Sequence, residues 1–216
     1  MAIRVLLVDD HELMREGLRA ILERERDIEV VGEAGSGREA VAKAASLEPD
    51  VVIMDVAMKD MNGIEATRQI RAERPTVRVV ALSSHADRRY VAAILEAGAS
   101  AYVLKADAYD ELRRAVHAVA QGRNYLCSEV AGGVIEAAAG SGAPAGSVFT
   151  RLGPREREVL QLLAEGLSSP QIARRLHVAT TTIESHRRNL MGKLGLHSVA
   201  ELTKYAVREG LTSLEE

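Results

Sequence analysis

Across the first 125 residues, short apolar runs alternate with longer amphipathic stretches, and this alternation limits the fold more than any other feature of the chain. Strands that alternate with helices pack as a parallel sheet with helices on its faces. Runs such as RVLLV and VRVVAL lack a polar alternation, as strands buried on both faces do. Strands are expected at about Ile3 to Val8, Ile28 to Ala34, Val51 to Met54, Val77 to Leu82 and Ala101 to Leu104. Ser36 with Glu39 and Asn62 with Glu65 have capping-box spacing, and Asp87 and Asp107 suit helix N-caps. The prediction is an α/β domain with a five-stranded, doubly wound parallel sheet.

After Phe149 the pattern becomes purely helical. Pro154 suits a first helical position in a helix ending before Gly166. A second helix is expected with Ser169 as N-cap and Pro170 following, running to Leu176. A third spans Thr180 to Leu194, and a fourth starts at Ser198 with Glu201 completing a capping box. This makes a second, smaller all-α domain. Ala137 to Ser147, AAAGSGAPAGS, has the composition of a flexible linker. Ser128 to Glu136 is expected to form a short helix capped by Ser128 and weakened by Gly132 and Gly133. The boundaries drawn are residues 1–121, a linker at 122–149, and 150–216.

The net charge of -3 is too near neutral for a protein that acts through bulk charge. Residues 1–125 hold 18 basic and 21 acidic groups, and residues 126–216 hold 10 of each. Within residues 171–208, however, seven bases face two acids, a local basic patch. The single cysteine, Cys127, excludes an intrachain disulfide, a zinc ribbon and an iron–sulfur cluster, and reads as a small apolar filler. There is no apolar run of membrane-spanning length and no signal-peptide pattern, so a cytoplasmic protein with no membrane partner is expected.

In a doubly wound sheet, ligands bind beyond the carboxyl ends of the strands. Here those ends carry Asp9 and Asp10, Asp55, Ser83 and Lys105. Three gathered carboxylates call for a hard dication, and Mg²⁺ suits oxygen donors and shares phosphate oxygens. Asp9, Asp10, Asp55 and the Ala57 carbonyl would hold it, Asp55 would act as a nucleophile toward phosphorus, and Lys105 would offset phosphoryl charge. LLVDDH, VIMDVAMKDMNG, VVALSSH and AYVLK, in this order, resemble the receiver domain of two-component response regulators over residues 1–121. The resemblance implies the flavodoxin-like strand order 2-1-3-4-5 and a histidine kinase that phosphorylates Asp55. It also implies a switch in which Ser83 moves toward the phosphate while Tyr102 turns inward. One departure is Lys59, where the family usually has Pro; its absence is expected to loosen the loop and add positive charge near the phosphate.

On the third helix of the second domain, Ile183, Leu190 and Leu194 form an inward face with His186 at its edge. Thr181, Ser185, Arg188 and Gly192 lie opposite, flanked by Glu184, a narrow polar face of the kind that enters a DNA major groove. With the preceding helix and a turn through His177 and Val178 it reads as a helix-turn-helix. Residues 152–206 are similar to the DNA-binding domain shared by LuxR, NarL and FixJ regulators. That resemblance makes Thr180 to Leu194 the recognition helix and lets Val199 to Ala206 form a dimer contact through residues such as Val199 and Leu202. By position, Glu184, Ser185 and Arg188 suit base edges, and Thr181, Thr182, Asn189 and Lys193 suit phosphates. Arg187 points partly toward the core side. Glu184 stands where many relatives have Lys, Gly153 replaces a usual Thr cap and Ala179 a usual Ser cap.

The sequence therefore reads as a transcription regulator controlled by phosphoryl transfer, binding double-stranded promoter DNA as a homodimer when active. It is expected to be no enzyme beyond assisting its own phosphorylation and dephosphorylation. One alternative is a receiver-fold regulator that works without phosphorylation, through a partner or constitutive dimers. Another is a haloacid-dehalogenase-type phosphatase, disfavoured because Ala57 occupies the place of that family's second Asp.

Overall fold

The computed structural model describes residues 2–84, 86–139 and 151–212. The chain divides into two compact units, Met1–Ser141 and Gly142–Glu216. The first contains β1 (Ile3–Val8), α1 (Glu12–Leu22), β2 (Ile28–Ala34), α2 (Gly37–Leu47), β3 (Val51–Asp55) and α3 (Gly63–Glu73). It continues with β4 (Arg78–Ser83), α4 (Arg88–Glu96), β5 (Ala101–Leu104), α5 (Ala108–Ala120), β6 (Tyr125–Leu126) and α6 (Ser128–Ala139). The sheet has the order β2-β1-β3-β4-β5-β6, and every pair is parallel.

Successive residues of a strand point to opposite faces, so each strand feeds two cores. Val5, Leu7, Ile53 and Leu82 pack with Leu18, Leu22 and Leu112 on one side, and Leu6, Val8, Val52 and Met54 with Ala40, Ala44 and Ile70 on the other. Ser36 Oγ accepts the Glu39 N–H at 3.3 Å, and Asn62 Oδ1 accepts that of Glu65 at 2.9 Å. Asp107 makes no side-chain cap; it closes a short 3₁₀ turn, Lys105–Asp107, that leads into α5.

The sheet has one strand more than expected. β6 pairs with the outer edge of β5, and the N–H of buried Cys127 donates to the Tyr102 carbonyl at 3.1 Å. With two residues, β6 is too short to leave a periodic signal. α6 runs to Ala139, past the expected end at Glu136, and packs on α4. Residues 122–139, expected as linker, thus carry elements of the first unit. The remainder of the expected linker, residues 140–149, lies outside the described residues, as do His85 and the boundary at 149/150.

The second unit contains α7 (Pro154–Ala164), α8 (Ser169–Arg175), α9 (Thr180–Leu194) and α10 (Val199–Arg208). Gly153 offers α7 no side-chain cap, but its own N–H is taken by Glu156 Oε2 at 3.0 Å. The cap of α8 is Ser168, not Ser169: Gln171 lies three residues on, and its Oε1 accepts the Ser168 N–H at 2.8 Å. Ser169 is buried instead, its Oγ accepting from Arg187 at 3.0 Å. His177 adopts φ 53°, a left-handed residue that stops α8 while the Val178 N–H returns to the Ala173 carbonyl. Ser198 and Glu201 cap α10 reciprocally. The core comprises Val159, Leu160, Ile172, Ile183, Leu190 and Leu202 among others. Leu202, expected at a dimer contact, is 0% exposed and packs within its own unit; Val199 is 38% exposed.

Candidate functional site

The carboxyl ends of β1, β3, β4 and β5 bring the expected acidic site together. Asp9, Asp55 and Ser83 are buried, and Asp10, Ala57 and Lys105 are half-buried. Lys105 Nζ lies 2.7 Å from Asp9 Oδ2 and 3.0 Å from Asp55 Oδ2. Burial, then the charge of Asp9, pushes the Asp55 carboxyl above the ordinary Asp range, against Lys105 and the Ala57 N–H, which donates to Oδ1 at 3.3 Å. Burial alone would lower Lys105, but Asp55 and Asp9 outweigh it and hold the ammonium above the usual lysine value. The Lys105 ammonium therefore lies between two buried carboxylates.

Asp9, Asp10, Asp55 and His11 each offer a ligand atom, all within 4.8 Å of one another. Asp10 Oδ1 and Asp55 Oδ2 are buried without a well-aligned hydrogen bond, so the site retains oxygen lone pairs that suit a hard dication. The sequence reading missed three residues that shape this site. His11 Nδ1 sits 2.9 Å from Asp10 Oδ1 and 3.2 Å from Asp9 Oδ1. Arg15 donates to the Asp9 carbonyl at 2.7 Å. A Cβ on Gly63 would lie 2.0 Å from the Asp55 carbonyl oxygen, so only glycine lets α3 start against the acceptor. His11 and Gly63 stand inside quoted motifs, the available signal for both; Arg15 has none.

The Tyr102 side chain is fully buried, its hydroxyl bonded to Ser83, and burial raises its pKa to about 12. The loop after Asp55 differs from expectation. The Lys59 N–H, which a proline would lack, donates to Asp10 Oδ2 at 3.3 Å, and Asp60, at φ 73°, is tied to Arg38 at 3.2 Å. The loop is pinned by these bonds, and the Lys59 side chain is exposed.

On α9, Thr181, Thr182, Glu184, Ser185, Arg188, Asn189 and Gly192 are exposed, while Ile183 and Leu190 are buried. Ser185 Oγ donates to the Thr181 carbonyl at 3.0 Å, and Arg188 reaches Ser185 Oγ at 3.5 Å. Arg187 is half-buried and engaged with Ser169 of α8, which ties the two helices of the motif together. Lys193 is exposed but paired with Glu156 at 2.7 and 2.8 Å. Among the described residues, no helix is long and apolar enough to cross a membrane.

A doubly wound sheet ending in this acidic pocket, in one chain with a helix-turn-helix, defines a response regulator with a DNA-binding output. Residues 5–117 match the response regulator receiver domain and residues 150–206 the luxR family of bacterial regulatory proteins, and the chain belongs to both families. It is 41% identical over 211 residues to the transcriptional regulatory protein LiaR of Bacillus subtilis, covering 98% of this chain and 100% of that protein. It is 36% identical to the response regulator protein VraR of Staphylococcus aureus, covering 98% and 99%. Among solved structures it resembles RcsB of Salmonella enterica serovar Typhimurium bound to promoter DNA with the phosphomimetic BeF3-, at 27% identity and a TM-score of 0.61, covering 98% of this chain and 100% of that one. The protein is thus a DNA-binding transcriptional response regulator of the two-component type.

Proposed function

We propose that the Asp55 carboxylate attacks the phosphorus of the kinase's phosphohistidine, and that the aspartyl phosphate favours a homodimer of the regulator on promoter DNA in the cytoplasm. The observation that carries this reading is the buried Asp55 with Lys105 Nζ 3.0 Å from its Oδ2. An Asp55 oxygen forms the new O–P bond as the P–N bond breaks, and the donor histidine leaves with its electron pair. Lys105, held protonated, stays opposite the phosphoryl oxygens and offsets their charge. Mg²⁺ held by Asp9, Asp10, Asp55 and the Ala57 carbonyl would supply further charge neutralisation and position the phosphoryl group. Gly63 lets the acceptor backbone sit close to α3, and Arg15 fixes the backbone of Asp9.

The Ser83 hydroxyl, bonded to Tyr102, is the group that gains a new partner when a phosphoryl group arrives. Tyr102, expected to turn inward, is already buried, so the movement of Ser83 toward the phosphoryl group is the step that biases the conformation of the first unit. Glu184, Ser185 and Arg188 read base edges, while Thr181, Thr182 and Asn189 contact phosphates. Val199 remains available for a dimer contact, and the same reading places the phosphoacceptor chemistry within residues 1–121 and the DNA-binding domain at 150–216, with residues 122–139 belonging to the first unit. The phosphomimetic and promoter in the RcsB structure support it. Acetyl phosphate with Mg²⁺ should add a phosphoryl mass and raise DNA affinity in the wild type and do neither in Asp55→Asn. Unchanged mass and affinity in the wild type would sink it, and full promoter binding by Asp55→Ala would favour the phosphorylation-independent alternative.

A further inference from the structure

α9 is fifteen residues long, yet Ile183 and Leu190 are its two fully buried side chains. So small an apolar anchor gives the polar ties of this helix a large share in fixing its direction. One tie is mid-helix, Arg187 to Ser169 of α8. The other is at the C-terminal end and converges on Lys193. Its Nζ lies 2.7 and 2.8 Å from the two carboxylate oxygens of Glu156, and its main-chain carbonyl accepts from Arg151 at 2.8 Å.

The Glu156 carboxylate is itself held. Its side chain is 12% exposed, it stands in the first turn of α7, where the helix dipole favours negative charge, and Oε2 takes the Gly153 N–H at 3.0 Å. Burial works against its ionisation, but Lys193 and the Gly153 N–H together hold the carboxyl below the usual Glu range. A lysine held by both oxygens of a fixed carboxylate presents little net charge to DNA. A phosphate would have to share the ammonium with Glu156, whose negative charge repels it.

We infer that Lys193 is a positioning residue: with Glu156 it forms a strut that sets the C-terminal end of the recognition helix, and it is not a DNA phosphate contact. The two roles make opposite demands on Glu156. If Lys193 serves phosphate, freeing it tightens DNA binding. If the pair is a strut, breaking it loosens binding. Glu156→Gln separates them, because glutamine keeps an oxygen for the Gly153 N–H and removes only the charge.

The test uses the full-length protein and a duplex that it selects from a random-sequence pool, with affinity read by fluorescence anisotropy over a potassium chloride series. Glu156→Gln and Lys193→Gln should each weaken binding roughly 3- to 10-fold, and the double variant should be no weaker than either single one, as for two halves of one interaction. The slope of log affinity against log salt should be unchanged in all three, and Lys193→Arg should restore affinity. Amide hydrogen exchange at residues 191–196 should quicken in both single variants without DNA. The inference is overturned by tighter binding of Glu156→Gln, by a slope reduced by about 0.9 in Lys193→Gln, which is the loss of one phosphate contact, or by unchanged affinity and exchange in both variants.

Discussion

In the receiver unit the side chains of the candidate site lie inside: Asp9, Asp55 and Ser83 are 0%, 1% and 0% exposed. In the DNA-binding unit Thr181, Glu184, Ser185 and Arg188 stand in solvent on one face of α9. The difference follows from what each partner needs. A small phosphoryl group is handled in a pocket where low polarity amplifies the charges of Lys105 and Asp55. A duplex is met by an exposed helix whose core face does no more than hold it in place. Substitutions in the first unit therefore change chemistry and stability together, whereas substitutions on the α9 face should change recognition alone.

The hardest test of that separation is Leu202. As a core residue, Leu202→Ala should destabilise the second unit by about 2–5 kcal/mol in chemical denaturation. A surface dimer residue would leave unfolding unchanged and weaken association only. Next is Arg188→Ala, which should cost about 1–3 kcal/mol of binding to the selected duplex, relax specificity at one position and leave the melting temperature unmoved; a drop in melting temperature would show that the face is not independent of the core.

A smaller effect is expected beside the receiver pocket. Lys59→Pro removes the N–H that holds Asp10, while Lys59→Ala keeps it. Divalent-ion affinity by calorimetry should change several-fold in the proline variant, the scale of one hydrogen bond to a charged group, and stay near wild type in the alanine variant. Equal behaviour of the two would remove the backbone amide from the account.

The smallest effect asks whether an exposed pair in the receiver unit behaves as a surface feature. His117 Nδ1 meets the Arg113 carbonyl at 2.8 Å and Nε2 meets Asp27 at 2.9 Å. The Arg113 carbonyl, then Asp27, raises the His117 pKa, and His117 lowers that of Asp27. A raised histidine pKa stabilises the fold fully below its unfolded value near 6.5, and the gain fades as pH rises through the folded value. A lowered Asp pKa stabilises above about 3.8, and that gain fades as pH falls through the folded value. His117→Asn should flatten both limbs slightly in a melting-temperature profile, and an unaltered profile would show that the pair contributes nothing.

β1, β3, β4 and β5 were legible because both of their faces are largely buried, which leaves nearly unbroken apolar runs, whereas β2, at the sheet edge, is mostly half-buried and interrupted by Glu29 and Glu33. The acidic site was legible because Asp9, Asp10, Asp55, Ser83 and Lys105 each follow such a run. Other features escaped for local reasons. Two serines precede Pro170, and only the reciprocal bond to Gln171 distinguishes Ser168 as the cap. Leu202 sits on an amphipathic helix, and a wheel does not say which neighbour covers it. Glu156 and Lys193 are 37 residues apart, so no periodicity links them.

The added strand β6 has a consequence for where the receiver can be cut. An unpaired strand edge displays free N–H and C=O groups and invites another chain to pair with it. A fragment ending at residue 121 would strip β6 from β5, expose the main chain of Tyr102 and uncover the side of α4 on which α6 packs. Such a fragment should self-associate, whereas one ending after Ala139 keeps its edge covered. The receiver as a folding unit is therefore longer than its acidic site requires.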